Sequence, residues 1–346
     1  MKELKTTYKN DLNNAIDSTV HFGKLFNKSV LITGITGLIG GFIVDILLYA
    51  NETLDANIEI YGLARNEKRA RERFAYTNSK KLHYLIQDVC QPINLKASID
   101  YIIHAAGDGY PEAFRLRPVE TMTPALLGTI NTLELAKEKQ ATGYIFISSG
   151  EVYGAPSSDN RPFKETDMIM AAGMSTRSCY PVGKQAAETL CSSYNEEYNV
   201  NAKVARLSHT YGPFTAATDN RASTQFINNA INGQDIILLS KGNQIRSYTY
   251  IADAASGILT VLLNGKIGEA YNIANSDSTV SLAHFAQKLA EISKVNCRFE
   301  IPNDLQKQEE TPISYAVLDA TKLTTLGWKG KYEIKDGLKC TLMNLR

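Results

Sequence analysis

A tyrosine and a lysine stand four residues apart in Tyr180-Pro181-Val182-Gly183-Lys184, a spacing that puts phenol and ammonium on one face of a helix. A free tyrosine titrates near about 10, so it is a poor base at neutral pH unless a cation such as Lys184 stabilises its phenolate. Upstream, Ile147-Ser148-Ser149-Gly150-Glu151-Val152-Tyr153-Gly154 sets a hydroxyl, Ser149, close to a carboxylate, Glu151. Ser149 can donate a hydrogen bond to a reacting hydroxyl or carbonyl, and Glu151 can move a proton. Each has a plainer reading: a solvated helix face, a local turn between two serines, a carboxylate that ties its own loop. A third motif decides between them.

Thr33-Gly34-Ile35-Thr36-Gly37-Leu38-Ile39-Gly40 follows a β-branched run and leads straight into an apolar helix. Gly34 can turn tightly, Gly37 lets backbone N–H groups approach a pyrophosphate, and Gly40 lets the helix pack on the strand, with the helix N-terminus facing the anion. Thr36, Leu38 and Ile39 belong to the same turn, so the expected ligand is a nicotinamide dinucleotide. Tyr180 and Lys184 downstream of such a loop read as catalytic. Lys184 would also hold the nicotinamide ribose, and the positive ring would help keep the phenolate charged. The second strand ends Gly62-Leu63-Ala64-Arg65-Asn66, with no acid before Glu67 to receive ribose hydroxyls as NAD binding favours. Arg65, with Lys68 behind it, could instead pair with the extra phosphate of NADP, or both are surface charges at a helix start, so NAD and NADP stay open here. Asp88, after the third strand, is a candidate for the adenine edge.

These residues need a scaffold that gathers strand ends. From Ser29 the chain alternates short apolar runs with helical stretches: 29–33, 58–63, 82–87, 101–104, 144–148 and 202–207. Runs this apolar, separated by helices, indicate an α/β protein with a doubly wound parallel sheet covered on both faces. Residues 1–27 read as a helical, partly exposed arm, 28–207 as the dinucleotide-binding domain, and 208–346 as a smaller α+β lobe with excursions back to the first. In that lobe a helix is expected over 222–232, a strand over 236–239 and a helix over 282–293. A chain of 346 residues with 44% hydrophobic residues and a formal charge of +1 can bury a large core and has no electrostatic reason to seek nucleic acid or membrane. Its five cysteines lack CxxC spacing, which suggests neither a metal site nor a disulfide framework and fits a reducing cytoplasm.

Taken together, the motifs resemble the extended short-chain dehydrogenase/reductases, specifically their nucleotide-sugar epimerase, dehydratase and decarboxylase members. The similarity covers about residues 28 to 330: TGITGLIG, HAAG at His104–Gly107, SSGEVYG, YPVGK, ARLSHTYGP from Ala205, RSYTYIAD from Arg246, YNIAN from Tyr271, and LGW from Leu326. It implies a Rossmann-type fold and a Tyr180, Lys184 and Ser149 triad that takes the proton from a sugar hydroxyl while the C4 hydride passes to the nicotinamide. The resulting 4-keto sugar permits epimerisation, dehydration or decarboxylation. It places the cofactor against Val89, His104, Ala105, Ala106, Gly107 and Pro181 as well, and a nucleoside-diphosphate sugar against Gly150, His209, Arg221 and Arg246, with Arg246 the stronger diphosphate ligand. A homodimer is expected on the same ground.

Ser149-Gly150-Glu151 narrows the branch. Dehydratases of this family carry Thr-Asp-Glu there, whereas UDP-glucuronate decarboxylases carry a hydroxyl, a small residue and a glutamate. Three positions depart from the family: Ala125 and His209 replace asparagines, and the arginine usual before Asp319 is absent. Two other readings remain open, a reductase that consumes external NADPH, suggested by Arg65, and a non-catalytic dinucleotide sensor.

Overall fold

The computed structural model describes residues 4–154, 160–167, 174–215, 218–300 and 313–345. Six strands, β1 (Ser29–Thr33), β2 (Glu59–Ala64), β3 (Leu82–Ile86), β4 (Tyr101–His104), β5 (Gly143–Ser149) and β6 (Ala202–Leu207), build the central sheet in the order β3-β2-β1-β4-β5-β6, and a later strand, Ala270–Ile273, extends it beside β6. Every pairing is parallel. Both faces are covered, which is why β1 is buried at all five positions and carries no polar alternation.

The helices that matter to the site start where strands stop. Helix α1 (Thr6–Ser18) precedes the sheet, α2 (Leu38–Thr53) follows β1, and α3 (Glu67–Arg73) follows β2. After β4 come α4 (Pro111–Leu116), α5 (Pro118–Thr123), a π-helical turn at Pro124–Gly128, and α6 (Thr129–Lys139). Helix α7 (Cys179–Tyr198) lies between β5 and β6. Its Gly183 permits close approach to this turn, since a Cβ there would sit 3.3 Å from Met122 Cγ and 3.6 Å from Ala125 Cβ.

The second lobe begins with β7 (His209–Tyr211), then α8 (Ala222–Ile231), β8 (Ile236–Leu238) and β9 (Ile245–Tyr250). Helix α9 (Ile251–Asn264) is buried from Ile251 to Leu263 and leads back to the central sheet through Ala270–Ile273, here β10. An apolar helix without a polar face has to sit between layers, and α9 packs on β5 and β6 on one side and on α1 and α2 on the other. Strands β11 (Thr279–Ser281), β12 (Cys297–Phe299) and β13 (Tyr315–Ala316), with α10 (Leu282–Ser293) and two later helices, Thr321–Thr324 and Ile334–Leu345, complete the lobe. β9 pairs with β7, β11 and β13, and β8 with β12.

The amino-terminal helix α1 exposes one face and packs the other on the body of the protein. Tyr8, Leu12, Ala15 and Ile16 of α1 are buried, and each large side chain so placed contributes about 1.5–3 kcal/mol. Its Asp11 is buried too, accepting hydrogen bonds from the Tyr250 and Tyr332 hydroxyls at 2.7 Å and from Asn344 at 2.8 Å. Tyr8 donates at 2.5 Å to Asp45 of α2, which Tyr76 and Arg73 also engage. No described helix is long and apolar enough to cross a membrane, and no cluster of three or more metal-ligating side chains occurs among the described residues.

Candidate active site

A cavity of about 540 Å³ lies at the carboxyl ends of the central strands and runs under the second lobe. At one end is the glycine turn. Gly34 has φ +73°, and a Cβ there would come within 2.8 Å of Ala105 O, while one on Gly40 would meet Gly34 O at 2.6 Å. Only glycine allows both approaches. Gly37 is the N-cap of α2 and supplies no side-chain cap, so the first N–H groups of the helix face the cavity beside Thr36, Leu38 and Ile39. A turn closed against side chains, with an open helix N-terminus, fits a dinucleotide pyrophosphate.

Arg65, Asp88, Val89, Ala105, Ala106 and Gly107 line the cavity beyond this turn. His104 does not. Its ring is fully buried, with Nδ1 2.8 Å from Thr33 Oγ1 and Nε2 3.2 Å from Pro124 O. Thr33 Oγ1 already accepts from the N–H groups of Ala105 and Ala106, so its hydroxyl donates to Nδ1 and the imidazole donates from Nε2. Burial, with the Lys184 charge behind it, pushes the ring down to about 3, so it stays neutral. His104 therefore ties β1 and β4 to the π-helical turn and shapes the Ala105–Gly107 loop from behind. Pro181 also lies off the cavity lining; in the first turn of α7 its missing N–H costs nothing.

Tyr180 and Lys184 do share a face of α7, and both line the cavity with Ser149. The Tyr180 phenol lies beside Ser149, and its ring stacks on Phe114 at 4.6 Å. Burial raises the phenol to about 12, with Glu151 adding to the shift and Ser149, Arg221 and Arg177 opposing it. Lys184 contributes less than its spacing suggests. Its Nζ donates to Ile147 O at 2.7 Å and sits 5.6 Å from the Tyr180 ring centre, and burial lowers it to about 8. Burial outweighs the Arg221 and Arg177 charges, so the phenol keeps its proton unless a further positive charge, such as an oxidised nicotinamide ring, lies against it.

Glu151 follows Ser149 in a short 3-10 turn after β5, its N–H held by Ser149 Oγ at 3.2 Å. Its carboxylate pairs with Arg177 at 2.8 Å. Gly150 sits under Leu318, whose methyl carbons lie 3.2 and 3.3 Å from where a Cβ would be. Behind the turn, Glu188 of α7 accepts from Ser148 Oγ at 2.5 Å and pairs with Arg206 at 2.7 Å, fixing β5, β6 and α7 together.

The far end of the cavity is cationic. Arg246 is buried on β9, donates to Ile313 O at 3.1 Å and has no ion-pair partner among the described residues. Burial holds its guanidinium below the usual value. Arg221 grips Asp219 at 2.6 Å; burial works against its charge, but the hydrogen bonds and charge of Asp219 raise it overall. His209 on β7 lines the cavity against Tyr248, kept neutral by burial and by the neighbouring Arg246 and Arg221. Arg177, Asp219 and Leu318 are among the residues of this site that were not anticipated. Arg177 was legible, one helical turn before Tyr180; Leu318 reaches Gly150 from far along the chain and carries no local signal.

The model of the NAD dependent epimerase/dehydratase family matches residues 30–274. The chain belongs to that family. Arabidopsis thaliana UDP-glucuronic acid decarboxylase 3 is 30% identical over 316 residues, covering 90% of this chain and 87% of the relative. Xenopus tropicalis UDP-glucuronic acid decarboxylase 1 is 28% identical over 320 residues, covering 92% of this chain and 72% of the relative. Among solved structures, Bacillus cereus UDP-glucuronic acid 4-epimerase in complex with UDP-glucuronic acid and NAD superposes with a TM-score of 0.75 at 21% identity, over 91% of this chain and 98% of that one. Family membership makes the chain an enzyme rather than a dinucleotide sensor, and places the Tyr180, Lys184 and Ser149 cluster in an NAD-dependent epimerase/dehydratase fold.

Proposed function

We propose that this enzyme oxidises C4 of a UDP-linked hexuronic acid, releases the C6 carboxyl group as carbon dioxide and returns hydrogen to C4. The observation that carries this reading is a single cavity holding the glycine turn, the Tyr180–Ser149 pair and Arg246 in sequence, so one ligand pair can span all three. The decarboxylating branch draws on Gly150, which brings no acid to expel a hydroxyl and has Leu318 above it, and on similarity to UDP-glucuronic acid decarboxylases.

A dinucleotide bound at the glycine turn would accept the C4 hydride and give it back, so no external reductant is consumed. The chain's own groups do the rest. Ser149 donates to the C4 oxygen and Tyr180 receives its proton. In the 4-keto acid the carboxylate lies β to the carbonyl, so the C5–C6 bonding pair flows into the ketone as carbon dioxide leaves. Glu151 is placed to move the proton that restores C5, and Tyr180 then protonates the C4 oxygen. Arg246, without a carboxylate partner among the described residues, receives the diphosphate. The enzyme is expected to pair with a second copy through α6 and α7, where Ile130 and Tyr198 are exposed beside Leu127 of the π-helical turn.

Mass spectrometry of products from UDP-, dTDP-, CDP- and GDP-sugars, with no cofactor added, tests the reading. Loss of carbon dioxide from UDP-glucuronic acid over many turnovers is expected. Loss of water, or an unchanged mass, would assign a different branch, and turnover only with added NADPH would make the enzyme a reductase.

A further inference from the structure

The cations around α3 divide into two groups. Lys68 lies 4.0 Å from Glu72, Arg71 pairs with Glu67 at 2.7 Å, and Arg73 is bound to buried Asp45. Arg65 and Arg69 have no ion-pair partner among the described residues, and these two line the cavity. Asn66 Oδ1 accepts from the Arg69 N–H at 2.9 Å, which fixes the turn that carries both.

Their position is where the adenosine ribose of a dinucleotide ends. The pyrophosphate turn follows β1, and the ribose hydroxyls of the same ligand reach the end of the neighbouring strand β2. NAD is selected there by a carboxylate that accepts the two ribose hydroxyls. None stands at Ala64, Arg65 or Asn66. The acid at the end of β3, Asp88, uses Oδ1 to accept the Cys90 N–H at 2.8 Å. Two guanidiniums in place of a carboxylate reverse the preference: they offer no acceptor to the diol's O–H groups and a planar, charged donor fork to a phosphate.

We propose that Arg65 and Arg69 form a subsite for the 2′-phosphate of the cofactor, so that this member of an otherwise NAD-described family holds NADP(H). This rests on the reading that a dinucleotide occupies the glycine turn. Both side chains are exposed, so their replacement leaves the core intact.

The test is the identity and affinity of the bound dinucleotide, without reference to turnover. Mass spectrometry of whatever is released on denaturing the purified protein is expected to find NADP(H). Calorimetric titration is expected to give tighter binding of NADPH than NADH, and Arg65→Asp to weaken NADPH about 10- to 100-fold, as loss of a charge-assisted contact does, with NADH unchanged or tighter. Release of NAD(H), or an Arg65→Asp variant whose NADPH affinity matches wild type, overturns the subsite and leaves the proposed reaction standing. Failure to bind either dinucleotide removes both.

Discussion

Arg177 donates to the carboxylate of Glu151 at 2.8 Å, linking the turn before α7 to the turn after β5. Both side chains are partly exposed, so the pair adds little to stability, about 0–1 kcal/mol. Its value is in aiming the Glu151 carboxylate, which lines the cavity. Glu151→Gln is expected to lower kcat about 10²–10⁴-fold with Tm almost unchanged. Arg177→Ala should lower kcat less, and Arg177→Lys should recover part of it. Steady-state kinetics with thermal scans checks this; a Glu151→Gln enzyme with wild-type kcat would remove Glu151 from the chemistry.

Leu318 closes over Gly150, so a side chain there has to displace it. Gly150→Asp is expected to cost about 1–3 kcal/mol by overpacking, and Leu318→Ala in the same chain to relieve part of that cost. Denaturant unfolding of the two single variants and the double variant measures the coupling. Strictly additive effects would mean that the two residues do not meet.

His104 gives a pH dependence whose sign is fixed. Its value near 3 in the folded chain lies below its unfolded value, about 6.5, so its contribution to stability is complete above that and is lost as pH falls. Between pH 7 and pH 5 the loss from His104 is about 2 kcal/mol. Wild type should therefore lose about that much more stability than His104→Gln over the same interval, measured by urea unfolding. An equal loss in both would show that His104 takes up its proton without unfolding.

Asp45 is wholly buried and holds Arg73, Tyr8 and Tyr76 together. Asp45→Asn leaves the Arg73 charge without its counterion and is expected to cost about 3–5 kcal/mol, whereas Tyr8→Phe should cost about 1–2 kcal/mol. Equilibrium unfolding compares the two. A neutral Asp45→Asn would mean that α1 is held by its apolar face alone.

The sheet was legible because buried parallel strands are short apolar runs with abrupt ends: Ser29–Thr33, Tyr101–His104 and Ala202–Leu207 fall where the sequence put them. The glycine turn was legible because Gly40 meets only Thr33 and Gly34 close by in sequence, whereas the approach of Gly34 to Ala105 is a tertiary contact. The burial of α1 was hidden by Asp11, a charge in the middle of its apolar face that only distant Tyr250, Tyr332 and Asn344 make tolerable. The spacing of Tyr180 and Lys184 gave the shared face correctly but not the direction of the ammonium, which Ile147 O captures. Leu318 over Gly150 is a tertiary contact with no local trace.

The most direct measurement follows the C4 hydrogen. UDP-glucuronic acid deuterated at C4 is incubated with the enzyme and no added cofactor, and the product is read by mass spectrometry and NMR. The expected result is a pentose nucleotide that has lost carbon dioxide and still carries deuterium at C4, with none formed by Tyr180→Phe. Deuterium washed into solvent, or a Tyr180→Phe enzyme that turns over like wild type, would contradict the account.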